Sequence, residues 1–234
     1  MTHLRVAIDG PAGAGKSTVA KKVAEKLGLI YIDTGAMYRA VTWKAIKSGI
    51  PPTDEKKITQ LASSIHISFQ SSDNQQKVYA DGVDVTEQIR SAEVTGNVSK
   101  ISAIPGVRAR LVELQREMAQ TRGVVMDGRD IGTFVLPDAE VKIFLTASLE
   151  ERARRRTEEL SNKGIQADPV EILKSIARRD EMDSTRDLAP LKKADDARII
   201  DTTGLSIPEV VDRIVTICHD YIGTNRRGEE YNGV

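Results

Sequence analysis

The sequence predicts an α/β protein: a parallel sheet flanked by helices, with a small antiparallel insert. Three observations carry that expectation. Short apolar runs alternate with stretches of helical spacing over most of the chain, the pattern of strand–helix–strand units whose strands are buried on both faces. A glycine-rich loop separates the first apolar run from the first helical stretch. Between about Pro51 and Pro105 the rhythm breaks into period-two alternation and a tight Asp-Gly turn.

The elements follow in order. Val6-Ala7-Ile8 is the first strand, and Ser17 to Leu27 is a helix stopped by Gly28. Leu29-Ile30-Tyr31-Ile32 is the second strand, and Thr34 is a natural cap for the helix after it. Ile65 to Phe69 alternates, and Val78 to Val85 turns at Asp81-Gly82 to make a hairpin. A helix over about Val107 to Gln120 returns the chain to the core. Val124-Val125-Met126, Val141 to Leu145 and Ala197 to Ile200 complete five core strands. A helix begins at about Pro169. The last helix runs from about Pro208, after Ser206, to Ile222, with Val211, Ile214, Val215 and Cys218 on one face. Gly223 to Val234 is expected to fray.

The chain of 234 residues balances 34 Lys and Arg against 34 Asp and Glu. At ~150 residues per domain, this length makes about one and a half domains. Zero net charge argues against a nucleic-acid binder driven by bulk positive charge, though not against a local basic site. Aromatics at 4% disfavour a stacking platform for single strands. One cysteine, Cys218, excludes an intrachain disulfide framework and fits a core position and a reducing compartment. The N-terminus lacks the apolar core of a signal peptide, and no run approaches the ~20 apolar residues of a membrane helix. A cytoplasmic protein is expected.

Gly10-Pro11-Ala12-Gly13-Ala14-Gly15-Lys16-Ser17 is a full G-x-x-x-x-G-K-S, between a strand and a helix as the motif requires. Glycines let successive N–H groups turn into one concavity, and the helix N-terminus adds partial positive charge. Lys16 reaches the β- and γ-phosphates of a nucleoside triphosphate, and the Ser17 hydroxyl is a Mg²⁺ ligand. A guanine-specific switch would need an N-K-x-D signature; Ser161-Asn162-Lys163-Gly164-Ile165 lacks the aspartate.

Further clusters suggest a second ligand. Asp33-Thr34-Gly35-Ala36-Met37-Tyr38-Arg39 and Asp127-Gly128-Arg129-Asp130 each follow a strand directly, so both lie at the carboxyl edge of the sheet, where open α/β folds bind ligands. Arg108 and Arg110 open one helix, and Arg178, Arg179, Asp180, Asp183 and Arg186 follow another. An arginine at a helix end can be a solvated charge, and Asp127-Gly128 a simple turn. Two clusters at strand ends beside a phosphate loop point to a second phosphorylated molecule, with carboxylates free to read sugar or base. Histidine is scarce: His3, His66 and His219 lie away from these clusters and receive no catalytic role.

The chain resembles bacterial cytidylate kinase, a nucleoside monophosphate kinase family. The resemblance rests on Ile8 to Thr18, Asp33 to Arg39, Asp127-Gly128-Arg129-Asp130-Ile131-Gly132-Thr133, Pro137-Asp138-Ala139 with Val141 to Leu145, and Arg186-Asp187-Leu188-Ala189-Pro190-Leu191. These span residues 8 to about 215. The resemblance implies phosphoryl transfer from ATP, with Mg²⁺, to CMP or dCMP. It implies a P-loop kinase core at 1–34 and 106–222, a monophosphate-binding region at 35–105 with inserted strands at about 60–105, and a short lid at about 152–168. ATP would be held by Gly10 through Thr18. CMP would be held by Thr34, Arg39, Ser99, Arg108, Asp127, Arg129, Asp130, Arg179, Asp183 and Arg186. Lys16, Arg129 and Arg186 would be catalytic, and Ser17 would ligate the metal. Position 34 is Thr where close relatives often carry Ser, so the hydroxyl is kept. A monomer without nucleic-acid or membrane partners is expected.

Arg152, Arg154, Arg155 and Arg156 follow Glu150-Glu151. They can be a solvated face paired with Glu150, Glu151, Glu158 and Glu159, or the start of the lid over ATP. Competing readings are another small-molecule P-loop kinase, a regulatory ATPase and an RNA-associated protein. The blocks after the second and third core strands, the lack of an apolar run ending in Asp-Glu, and the neutral charge speak against them in turn.

Overall fold

The computed structural model describes residues 4–72, 75–120 and 122–231. In chain order the elements are β1 (Arg5–Asp9), α1 (Lys16–Leu27), β2 (Ile30–Asp33), α2 (Thr34–Lys47), α3 (Glu55–Ser64), β3 (Ile67–Ser72), β4 (Gln75–Ala80), β5 (Val83–Asp84), α4 (Ala92–Ala103) and α5 (Pro105–Gln120). Then come β6 (Val124–Gly128), a π-helical turn at Ile131–Val135, β7 (Val141–Thr146), α6 (Leu149–Asn162), α7 (Pro169–Thr185), β8 (Arg198–Asp201) and α8 (Ile207–Tyr231).

The chain divides into two compact units. The first comprises residues 1–31, 121–185 and 189–234, and the second residues 32–120 with the short stretch Arg186–Leu188. The main sheet has five strands in the order β2-β6-β1-β7-β8. β1 pairs in parallel with both β6 and β7. Its central strands are buried almost continuously, as a sheet covered on both faces requires. Val6, Ile8, Val19, Val23, Val125, Ile143, Leu145, Val211, Ile214 and Cys218 form the core of this unit. Gly28 stops α1 with φ 64°, a conformation that costs glycine no steric strain.

In the second unit α2 packs on α4, and α3 on α5. β3, β4 and β5 form the expected antiparallel sheet. Asp81 and Gly82 turn the hairpin with φ 51° and 77°, the two positive values that a two-residue turn of matching twist demands.

The structure departs from the sequence reading in four places, the first being that Arg178, Arg179, Asp180 and Asp183 lie within α7, which runs on to Thr185, rather than after it. Strands fill only part of 60–105: β5 ends at Asp84, and 92–103 is helix. Ser91 caps α4 by accepting the Val94 N–H, and Val94, Val98 and Ile101 bury one helical face. The cap of α2 is Asp33, not Thr34: its carboxylate accepts the Ala36 N–H at 2.8 Å, and Thr34 becomes the first helical residue. α8 continues through Tyr231 rather than ending at Ile222; Gly223 and Gly228 each cost about 1 kcal/mol in a helix, too little to stop it. Residues 232–234 of the expected tail, like His3, lie outside the described residues. No described helix is long and apolar enough to cross a membrane.

Candidate active site

β1 ends at Asp9 and the chain enters the Gly10–Gly15 loop, which α1 continues at Lys16. A Cβ on Gly10 would lie 2.0 Å from the Leu145 carbonyl oxygen of β7, and φ there is 147°, so only glycine fits. Gly13 has φ 77°, and a Cβ there would meet the Cβ of Arg152 at 3.1 Å. The loop is therefore wrapped by the neighbouring strand and helix, with its curvature fixed by missing side chains.

Lys16 is 5% exposed, and its ammonium donates to the Pro11 carbonyl at 2.7 Å, bridging the loop it belongs to. Burial, and after it the positive charge of Arg129, hold Lys16 well below its usual pKa, with Arg179 adding to this and Asp127 and Asp9 opposing it. A polyphosphate arriving here would reverse that imbalance.

The end of β6 faces the loop. Ser17 Oγ donates to Asp127 Oδ2 at 2.8 Å, and the Tyr31 hydroxyl donates to Oδ1 at 2.9 Å. One hydroxyl and one carboxylate side by side make a hard oxygen pair suited to Mg²⁺. Beyond them Arg129 Nε donates to Asp183 Oδ2 at 2.9 Å, and Arg179 Nε lies 4.0 Å from the same oxygen. Asp130 is buried and starts the π-helical turn. The first unit thus gathers Ser17 with Asp127, and Arg129 and Arg179 around Asp183.

The arginine run on α6 divides in two. Arg154 pairs with Glu151 and Glu158, and Arg156 with Glu159, as a solvated helix face would. Arg152 and Arg155 turn inward. Arg152 donates to the carbonyls of Ala147 (3.1 Å) and Ala12 (2.9 Å) and pairs with Asp180. Asp180 in turn accepts the Ala12 N–H at 3.0 Å. Arg155 donates to the Thr202 hydroxyl at 2.9 Å and its carbonyl at 2.6 Å. α6 is thereby tied to the phosphate loop and to the residues just past β7 and β8, and α7 to the loop through Asp180.

The second unit holds Thr34, Arg39, Ser99, Arg108 and Arg186. Thr34 and Ser99 are buried at the start of α2 and within α4. Arg39 donates to Ile89 O at 3.2 Å and Thr95 Oγ1 at 2.9 Å. Arg108, only 1% exposed, donates to Ser102 O at 3.3 Å, and its guanidinium lies 5.6 Å from the centre of the Tyr38 ring. Arg186 is half-buried just past α7.

Sequence reasoning missed Asp9 and Tyr31 here, and grouped Asp180 with the second ligand's cluster, whereas it accepts the Ala12 N–H of the phosphate loop. The one available signal was an aspartate closing a buried apolar strand, where an ion without partners would be costly.

A glycine loop between β1 and α1, in a sheet ordered β2-β6-β1-β7-β8, with an aspartate of the adjacent strand facing the loop's serine, defines a P-loop kinase. The family model for cytidylate kinase matches residues 6–220, and the chain belongs to the cytidylate kinase family. It is 55% identical over 221 residues to the cytidylate kinase of Geobacillus sp. (strain WCH70), covering 94% of this chain and 99% of that one. Identity to the cytidylate kinase of Desulforamulus reducens is 56% over 214 residues, covering 92% and 96%. The fold alone is shared with an uncharacterised protein from Eubacterium ventriosum, at 15% identity and a TM-score of 0.54, covering 94% and 99%. The protein is therefore an enzyme, a nucleoside monophosphate kinase.

Proposed function

We propose that the enzyme transfers the γ-phosphoryl group of ATP to CMP or dCMP, giving ADP and CDP or dCDP, in pyrimidine nucleotide metabolism. The observation that carries this reading is the end of β6. It presents Asp127 to the phosphate loop and Arg129 and Asp130 immediately beyond, in a chain whose near-full-length relatives are cytidylate kinases.

Gly10 through Thr18 hold ATP, with Lys16 on the β- and γ-phosphates. Ser17, with Asp127 behind it, would hold Mg²⁺, which would supply charge neutralisation at the donor phosphates. Asp127, engaged by Ser17 and Tyr31, belongs with the metal rather than with CMP. Arg129, Arg179 and Arg186 hold the acceptor phosphate, and Lys16, Arg129 and Arg186 spread the charge that develops in transfer. Arg39 joins these arginines at the phosphate, and Thr34, Ser99, Arg108, Asp130 and Asp183 line the rest of the acceptor site, with Ser99, Arg108, Asp130 and Asp183 on its sugar and base. A phosphate oxygen of CMP attacks the γ-phosphorus directly and needs no strong base, so positioning and charge dominate.

Residues 1–34 and 106–222 make the kinase core in this reading, residues 35–105 bind the monophosphate, and 152–168 form a lid that excludes water. The inward bonds of Arg152 and Arg155 support those two as the lid's anchors on the donor side. A cytoplasmic monomer is the expected form. The deciding experiment measures ADP formation from ATP with each nucleoside monophosphate in turn. Turnover with CMP and dCMP is expected; hydrolysis indifferent to the acceptor would overturn the reading.

A further inference from the structure

Asp9 has no part in the scheme above, yet both of its carboxylate oxygens are engaged by backbone amides. It is 4% exposed and closes β1 one residue before the phosphate loop. Oδ1 accepts the N–H of Ile131 at 2.8 Å, and Oδ2 accepts that of Gly132 at 2.7 Å. These are the first two N–H groups of the π-helical turn, which has no acceptors of its own for them. Asp9 supplies those acceptors from a different strand.

The turn is wound on the residue that precedes it. The N–H groups of Phe134 and Val135 both donate to Asp130 O, at 2.9 and 3.1 Å, and Leu136 N–H donates to Ile131 O at 2.7 Å. π-turns of this kind concentrate at functional sites. The contact is close: a Cβ on Gly132 would lie 3.4 Å from Asp9 Oδ2 and 3.2 Å from Lys142 Cδ. The register of β1 on β6 sets Asp9 opposite Gly128, at the base of the Arg129-Asp130 pair. The bonds of Asp9 run to this turn, whereas the bonds that fix the loop run through Lys16 and Asp180.

We infer that Asp9 is a positioning residue for the acceptor nucleotide, holding the Gly128–Asp130 strand end in binding geometry through the amides of Ile131 and Gly132. The inference rests on the reading of Arg129 and Asp130 as acceptor-site groups. It makes acceptor binding sensitive to the ionisation of one buried carboxyl. Burial pushes Asp9 up to about 6; the two amides and Lys16 act against this, and Asp130 adds to it. Asp127 and Arg129, from the β6 side, act on Lys16. Lys142, from β7, passes its stem by Gly132 and gives its ammonium to Pro137 O and Asp196. A protonated Asp9 keeps a single good acceptor for two donors.

The test is the steady-state kinetics of Asp9→Asn against the parent at pH 7.5 and pH 5.5, varying CMP and ATP separately. The variant is expected to raise the KM for CMP about tenfold at pH 7.5, with the KM for ATP within about twofold, as losing one buried acceptor implies. At pH 5.5 the ratio of the two CMP KM values is expected to shrink towards one, because the parent has then lost its carboxylate too. The ionisation of CMP itself cancels in that ratio. Gly132→Ala, which displaces the amide without touching a charge, is expected to give the same CMP-selective loss at pH 7.5 and a smaller one at pH 5.5, and keeps the test open if Asp9→Asn folds poorly. An equal effect on both substrates, or a pH-independent ratio for Asp9→Asn, overturns the inference while parental CMP turnover leaves the proposed function standing. A parent that does not phosphorylate CMP removes the proposed function instead.

Discussion

The Gly10–Ser17 loop and the Ser91–Arg108 stretch of the second unit hold charge in opposite ways. The loop uses main chain: its curvature comes from glycines, and its geometry is fixed by what lies against them, the Leu145 carbonyl at Gly10 and Arg152 at Gly13. The second stretch uses side chains carried by packed helices, with Arg108 sunk to 1% exposure against the Tyr38 ring. A main-chain site tolerates little at a few positions and leaves the rest free. A side-chain site spends a buried cation, which is stable only while its partners stay in place.

That contrast can be broken at Lys16, whose ammonium bridges the main-chain site at the Pro11 carbonyl. Lys16→Ala is expected to lower kcat on the order of a thousandfold, the scale for removing a preorganised charge donor, while its melting temperature stays near the parent's. Near-normal turnover would sink the assignment of the loop. Next in size are the arginines. Arg108→Met keeps the stem and loses the charge; a rise of about thirtyfold in KM for CMP is expected, with ATP little affected, as for the loss of a charged hydrogen-bonding group. Arg129→Ala and Arg186→Ala are expected to act in the same direction and also to lower kcat. A CMP titration that superimposes on the parent's would remove the residue concerned from the acceptor site.

A smaller effect is expected where the loop is tied from outside. Asp180→Asn weakens the bonds to the Ala12 N–H and to Arg152, and a rise of about fivefold in the KM for ATP should follow, with CMP unchanged. The opposite selectivity would reassign Asp180 to the acceptor side. The last prediction is a slope rather than a level. With its folded pKa raised to about 6 from an ordinary 3.8, Asp9 binds its proton more tightly folded than unfolded. Its contribution to stability is then greatest below about pH 4 and is lost as pH rises through 6. Urea midpoints of parent and Asp9→Asn at pH 5 and 7.5 should diverge in favour of the variant at the higher pH. Parallel midpoints would mean that the carboxyl titrates normally.

The same contrast explains what the sequence disclosed. The phosphate loop was legible because glycine and lysine at fixed spacing have few other uses. The five core strands were legible because a sheet covered on both faces needs unbroken apolar runs. The hairpin was legible because Asp81-Gly82 is a turn with a mechanism. α4 was hidden because Gly96, Asn97 and Ser99 dilute its helical pattern, and only the spacing of Val94, Val98 and Ile101 marks it. The Asp33 cap was hidden because Asp33 and Thr34 are both good caps, and backbone geometry chose between them. Arg152 and Arg154 look alike in sequence, yet one holds the loop and the other sits in solvent; that difference comes only from which side of α6 meets α7. Asp9, Tyr31 and Asp180 act through contacts 96 to 168 residues away along the chain, which no local pattern encodes.

The single thiol gives the molecule a built-in clock. Cys218 lies fully buried among the strands and helices of the first unit, and burial alone pushes it up to about 12. A thiol reagent in neutral solution therefore meets nothing to modify until α8 lifts from the sheet. With no other cysteine in the chain to compete, the labelling rate counts those openings one molecule at a time. It would tell whether nucleotide at the phosphate loop tightens the core that α8 shares with α1.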